Sequence, residues 1–117
     1  MDANQFADDM SVQALDKVTP IVSALGTTTL IMDVLDQVVL VTTGDGYALT
    51  ITLPSVAAAK GRFYSLRMVA RGGTSDATIQ DKNNDAGMAD ITFNLAADQV
   101  LLYSDGYKWH TLASSGV

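Results

Sequence analysis

The chain has 117 residues, enough for one domain that buries a real core and too few for two. With 48% hydrophobic and 17% charged residues it reads as an ordered globular domain, not a disordered one. A net charge of −6 argues against nucleic acid or an anionic membrane as the main partner, and the lack of cysteine excludes disulfides, thiolate zinc sites and cysteine nucleophiles.

All 13 acidic residues are Asp. Asp favours turns and caps where Glu favours helices, so the bias predicts a turn-rich β protein. Asp2, Asp8, Asp9 and Asp16 all fall at the N-terminus, which has no basic stretch leading into an apolar one and is not a signal peptide. No apolar run approaches the roughly 20 residues of a membrane span. Phe6, Met10, Val12, Leu15 and Val18 are spaced by two to four residues, which fits neither a clean strand nor a strong helix. Ser11 has the chemistry to cap a short helical turn over 11–17. Thr19-Pro20 biases position 19 toward an extended conformation, and Gly26 with the threonines after it reads as a hinge. Residues 1–28 are thus either a frayed, strand-like terminus or an arm that lays its apolar side chains on a neighbouring subunit or a larger surface.

Strands follow at short intervals from residue 30. Residues 30–35 and 37–43 are apolar and β-branched, with Asp36 between them. Gly44-Asp45-Gly46 is a turn signal, after which Tyr47, Leu49, Ile51 and Leu53 alternate with Ala48, Thr50 and Thr52 until Pro54 ends the ladder. Residues 55–61 form a connector with room for one helical turn. In the strand over 62–70, Tyr64, Leu66 and Met68 share one face, and Phe63, Ser65, Arg67, Val69 and Arg71 share the other. Gly72-Gly73 leads into a strand over 77–80, followed by a polar loop over 81–90, a strand over 91–95 and a turn over 96–98.

The strongest local signal closes the chain. Asp105-Gly106 sits between two alternating runs, as a two-residue type I′ hairpin requires. In that register Ser104 faces Tyr107, Leu102 faces Trp109 and Val100 faces Thr111, and Val100, Leu102, Tyr107 and Trp109 share the core face. A Leu–Trp cross-strand pair contributes roughly 0.2–1 kcal/mol over Ala–Ala.

About eight short strands without a useful helix predict an all-β fold. Its form is an antiparallel two-sheet β-sandwich, or jelly-roll-like domain, over residues 29–117, with an extended N-terminal arm over 1–28. No period of 20–50 residues repeats.

Chemistry-bearing patterns are sparse. Asp81-Lys82-Asn83-Asn84-Asp85-Ala86 starts like a calcium loop, but the sixth and twelfth positions hold Ala86 and Thr92 where an EF-hand needs Gly and Glu. It reads as a solvated surface loop. His110, the one histidine, has no nucleophile context and lies with Leu101 and Lys108 on the second hairpin face. Arg67 and Arg71 project from one strand face, where they either pair with carboxylates of a partner or cover apolar surface with their stems. No catalytic residue, cofactor or metal ligand is expected.

The order of features carries a resemblance. A 39–43 strand, the Gly44-Asp45-Gly46 turn, Leu49-Thr50-Ile51-Thr52-Leu53-Pro54, the 64–69 strand, Ala77-Thr78-Ile79-Gln80-Asp81, and 100–109 with Ser104-Asp105-Gly106 follow one another. Over about residues 35–113 the chain resembles small structural proteins of tailed bacteriophages, most of all the capsid decoration (cement) proteins. Related β modules occur in head and tail fibres. The resemblance implies a homotrimer on the outer surface of the virion, made in the host cytoplasm, with the major capsid protein as partner and neither nucleic acid nor membrane bound. On that reading the residues' own patterning makes Phe6, Asp8, Asp9, Met10, Val12 and Leu15 of the arm, with Arg67 and Arg71 on the β domain, the candidate capsid or subunit interface. The alternative is a fibre or receptor- and carbohydrate-binding module, for which Tyr103, Tyr47 and Phe63 are the candidate exposed aromatics.

Overall fold

The structure, a computed structural model, describes residues 17–117. Its strands are β1 (Val18–Val22), β2 (Thr29–Ile31), β3 (Val38–Thr43), β4 (Leu49–Thr52), β5 (Phe63–Arg71), β6 (Ala77–Gln80), β7 (Ile91–Phe93), β8 (Gln99–Ser104) and β9 (Trp109–Ser115). A single 3₁₀ turn, Lys82–Asn84, is the helical content among the described residues. The larger sheet has the order β1-β3-β5-β8-β9 and the smaller one β2-β4-β6-β7.

The first six strands alternate between the sheets, and every pairing among them is parallel. The chain therefore winds as three stacked coils of two strands each, a short two-sheet β-solenoid. The last three strands close one side antiparallel: β7 on β6, β8 on β5 and β9 on β8. The all-β, two-sheet expectation holds, but the antiparallel jelly-roll pairing is overturned in the coils. Alternation reports which face of a strand is buried, and it does not report which strand lies alongside. The turn signals are real. Leu25-Gly26 closes a bridge between Ala24 and Thr27, and Asp45-Gly46 closes one between Gly44 and Tyr47, with φ of 81° and 83° at the two glycines. In each case pairing stops at that one bridge, and the chain crosses to the facing sheet.

The coils make a structural repeat that the sequence conceals. Val18 pairs with Val38, 20 residues on, and Val38 with Ser65, 27 residues on. The second spacing is longer because the 53–62 connector is inserted, where the Ala59 N–H bonds back to the Ser55 carbonyl in one helical turn. Equivalent turn positions carry Leu25, Asp45 and Gly73, so neither the spacing nor the side chains are constant.

Inward side chains stack from coil to coil. Leu30, Ile51, Ile79 and Ile91 line up across the smaller sheet, and Thr19, Val39, Leu66 and Val100 across the larger. Val39, Ile51, Tyr64, Leu66, Met68, Ile79 and Phe93 are fully buried. Each such aliphatic side chain contributes about 1.5–3 kcal/mol by leaving water.

The terminal hairpin forms, but in another register. Ser104 lies opposite Trp109, Tyr103 opposite His110 and Leu102 opposite Thr111, so the loop is Asp105–Lys108 and Tyr107 is 80% exposed. Asp105 Oδ1 accepts the N–H groups of Tyr107 (2.8 Å) and Lys108 (2.7 Å), a side-chain turn that competes with the two-residue type I′ form. The slip is an even number of residues, so facing is preserved and Trp109 still reaches the core.

At the other end the fold begins earlier than the sequence reading placed it. Val18–Val22, assigned there to the arm, pairs along its whole length with β3. The rest of the expected arm, residues 1–16, lies outside the described residues.

Candidate functional surfaces

Among the described residues most aspartates hold turns. Asp81 Oδ2 accepts the N–H groups of Ala86 and Met88 (both 3.1 Å), Asp98 Oδ2 those of Asn94 and Leu95 (2.9 and 3.0 Å), and Asp85 Oδ2 that of Val56 (3.0 Å). Buried Asp81 anchors the 81–90 loop from inside, while most of the loop's other residues are exposed, as expected of a solvated surface loop. Among the described residues no three His, Cys, Asp or Glu side chains gather as a metal site would require.

Asp36 fastens the first coil. Its Oδ1 accepts the Thr19 hydroxyl (2.7 Å) and faces Lys17 Nζ (3.0 Å), and its Oδ2 accepts the Asp33 N–H (2.9 Å). Burial works to raise the Asp36 pKa, but the Thr19 and Asp33 donors and the Lys17 charge outweigh it and hold it below the usual range. Lys17 is raised in turn by the Asp36 hydrogen bond and charge.

Arg67 and Arg71 do not share a face. A bulge at Val69 interrupts β5, since Val41 pairs with Met68 and Thr42 with Ala70. The extra residue inverts the alternation. Arg67 stays exposed on the outer face between Leu40 and Gln99, whereas Arg71 lies level with the buried Thr43 and pairs with Asp76 at 2.7 Å.

An aromatic row crosses the outer face of the larger sheet instead. Phe63, Tyr103 and His110 are direct cross-strand neighbours on β5, β8 and β9, with centroids 4.9 and 6.4 Å apart. His110 Nε2 lies 2.8 Å from Asp105 Oδ2, and that contact, ahead of the Lys108 and Tyr107 N–H groups, lowers the Asp105 pKa to about 2. From the sequence alone Phe63 and Tyr103 are candidate exposed aromatics and His110 falls beside Leu101 and Lys108, whereas the observed register sets His110 opposite Tyr103. The loop length, which decides the neighbour, was not legible.

The first coil exposes four large apolar side chains: Val18 and Val22 on β1, Leu25 in the turn and Ile31 on β2, the last two 85% and 74% exposed. On the far side the sheets end unevenly. β9 extends the larger sheet one strand past β7, leaving a cleft of about 510 Å³ lined by Asp90, Ile91, Thr92, Val100, Thr111 and Ser114 among others. No sequence pattern signals this cleft, because it arises from the unequal strand numbers. The expected interface residues Phe6, Asp8, Asp9, Met10, Val12 and Leu15 lie outside the described residues.

No family model and no curated protein matches the chain. A solved structure described as "Structure of a chaperone-substrate complex" is similar over 85% of this chain and 17% of that one, with 23% identity and a TM-score of 0.48. Among the described residues no helix is long and apolar enough to cross a membrane.

Proposed function

We propose that the chain is a structural protein of a phage particle, a capsid decoration protein that binds the outside of the head and stabilises contacts between major capsid protein subunits. The observation that supports this best is the set of apolar side chains that the first coil exposes, Val18, Val22, Leu25 and Ile31, next to the N-terminal segment. Apolar side chains exposed together on one coil suit a surface that a partner covers. Phe6, Met10, Val12 and Leu15 add anchors, on the capsid or on a neighbouring copy, worth about 1.5–3 kcal/mol each before ordering costs, and Asp8 and Asp9 offer charge to basic capsid residues. Ordering the segment costs about 1–2 kcal/mol per residue, so tight binding calls for several arms acting together in a homotrimer. Co-sedimentation with purified capsids tests the reading. The full chain pellets with them and a chain lacking residues 1–16 does not, whereas equal pelleting of both moves the binding surface to the β domain, with Arg67 first to be replaced.

The row Phe63–Tyr103–His110, rimmed by Asp105, favours a second reading, a fibre or receptor-binding module that recognises a saccharide. Ring faces carry sugar C–H groups and the Asp–His pair offers hydrogen bonds to hydroxyls. Glycan-array binding lost in Phe63→Ala and retained without residues 1–16 would select it.

A further inference from the structure

The strand edges of this fold are guarded unequally. On β1 the Ser23 N–H bonds to the Thr42 carbonyl and the Lys17 carbonyl accepts from Val38, so the odd-numbered residues turn toward β3. The even-numbered ones face the free edge, and at its centre stands Pro20, which has no N–H to offer an incoming strand. The adjoining turn is closed to another coil as well. Gly44 and Gly72 sit against the backbone of the preceding coil, where a Cβ would collide with the Ser23 carbonyl or with Asp45 N and Thr43 O. The equivalent residue of the first coil is Ala24, so no further coil of this kind stacks on it.

The opposite side has no such guard. Among the described residues β7 has no partner beyond β6, and its edge carries no proline, so a strand added there, about 4.8 Å away, lies directly under β9. Thr111 and Ser114 of β9 and Val100 of β8 would cover it, and these residues now line the open cleft. The vacancy is one strand wide.

We infer that this vacancy receives residues 10–14 of a second copy of the chain. Met10, Val12 and Ala14 alternate there with Ser11 and Gln13, the pattern of a half-buried strand, and the segment carries no charge. A copy cannot fill its own vacancy with this segment. β1 and β9 are the opposite edges of a five-stranded sheet, four spacings or about 19 Å apart. From Ala14 to Lys17 the chain reaches about 11 Å at most. A neighbour's segment is under no such limit, and repeated exchange in one sense closes a ring such as a trimer. The inference rests on the proposal that copies assemble, not on the capsid. Phe6, Asp8 and Asp9 stay free for a larger surface.

The chain has no cysteine, which makes the test direct. Met10→Cys, Val12→Cys and Ala14→Cys are each combined with Thr111→Cys, oxidised, and run without reductant. At least one pair should give disulfide-linked chains up to the closed ring. Disulfides formed only within one chain, or none in any pair, overturn the inference, including when cross-links appear only to added capsid protein. Val12→Asp lies ahead of the described fold and should reduce the sedimenting species to a single chain, and an unchanged mass overturns the inference too. Capsid pelleting is scored separately, so a chain that exchanges without binding capsids keeps this inference and loses the capsid reading.

Discussion

Ser23 Oγ and Thr43 Oγ1 hold equivalent places in successive coils and make the same pair of bonds to the coil below. Ser23 accepts the Gly44 N–H (2.9 Å) and donates to the Tyr47 carbonyl (2.5 Å), and Thr43 accepts the Gly72 N–H (3.2 Å) and donates to the Ser75 carbonyl (2.7 Å). Both hydroxyl residues are buried, so each coil is fastened to the next by a satisfied polar contact at its tightest bend. The series ends where Arg71 takes the third place and turns to Asp76.

Thr43→Val keeps the shape and removes both bonds, stranding the half-buried Gly72 N–H and the buried Ser75 carbonyl. The expected cost is about 1–3 kcal/mol for each group left unsatisfied. Thr43→Ser retains the hydroxyl and should recover most of it. Urea unfolding of the two variants checks this, and equal stability would show that the hydroxyl is dispensable.

Gly44→Ala drives a methyl group into the Ser23 carbonyl, a backbone atom that cannot swing aside. Overpacking of this kind costs typically about 1–3 kcal/mol. Ala24→Gly, at the equivalent but exposed place in the first coil, should change stability by only about 0.5–1 kcal/mol. Thermal melts of the pair measure the asymmetry.

Trp109 packs edge-on against Tyr64, with centroids 5.6 Å apart, and its buried Nε1–H has no hydrogen-bond partner among the described residues. Trp109→Ala should cost about 3–5 kcal/mol, near the whole stability of a domain this size. Trp109→Phe keeps an aromatic ring and removes the unpaired donor, so it should cost well under half as much. Denaturant midpoints with unchanged slopes establish the comparison.

The Asp105 carboxyl is held at about 2 in the folded chain, against 3.8 without partners. Its contribution is present above the unfolded value and is lost as pH falls through the folded one. Asp105→Asn should therefore be less stable than the parent near pH 5, with the gap closing as pH falls from about 4 to 2. Unfolding midpoints across that range follow the gap, and a constant difference would mean that the charge is not involved.

Many features of the fold follow from rules that act within a few residues. The Asp-only acidity predicted turns, and Asp33, Asp36, Asp81, Asp85, Asp98 and Asp105 each accept backbone N–H groups. Alternation placed Tyr64, Leu66 and Met68 inward, and Trp109 kept its facing through a slip of register. Where one extra residue intervened, as at Val69, the same alternation misassigned Arg71.

By itself, then, the sequence determined the strand positions from residue 38 on, most buried faces, the places of the turns and a β fold with two sheets, because side-chain period, glycine freedom and aspartate capping are local. Tertiary structure alone decided that Val38 lies beside Val18 and Ser65, that Phe63, Tyr103 and His110 form a row, and that among the described residues the sheet carrying β9 has one strand more than the sheet facing it. Those outcomes depend on which strands meet across 20 or more residues. That choice is settled by the summed burial of all coils at once and leaves no mark on any single stretch of chain.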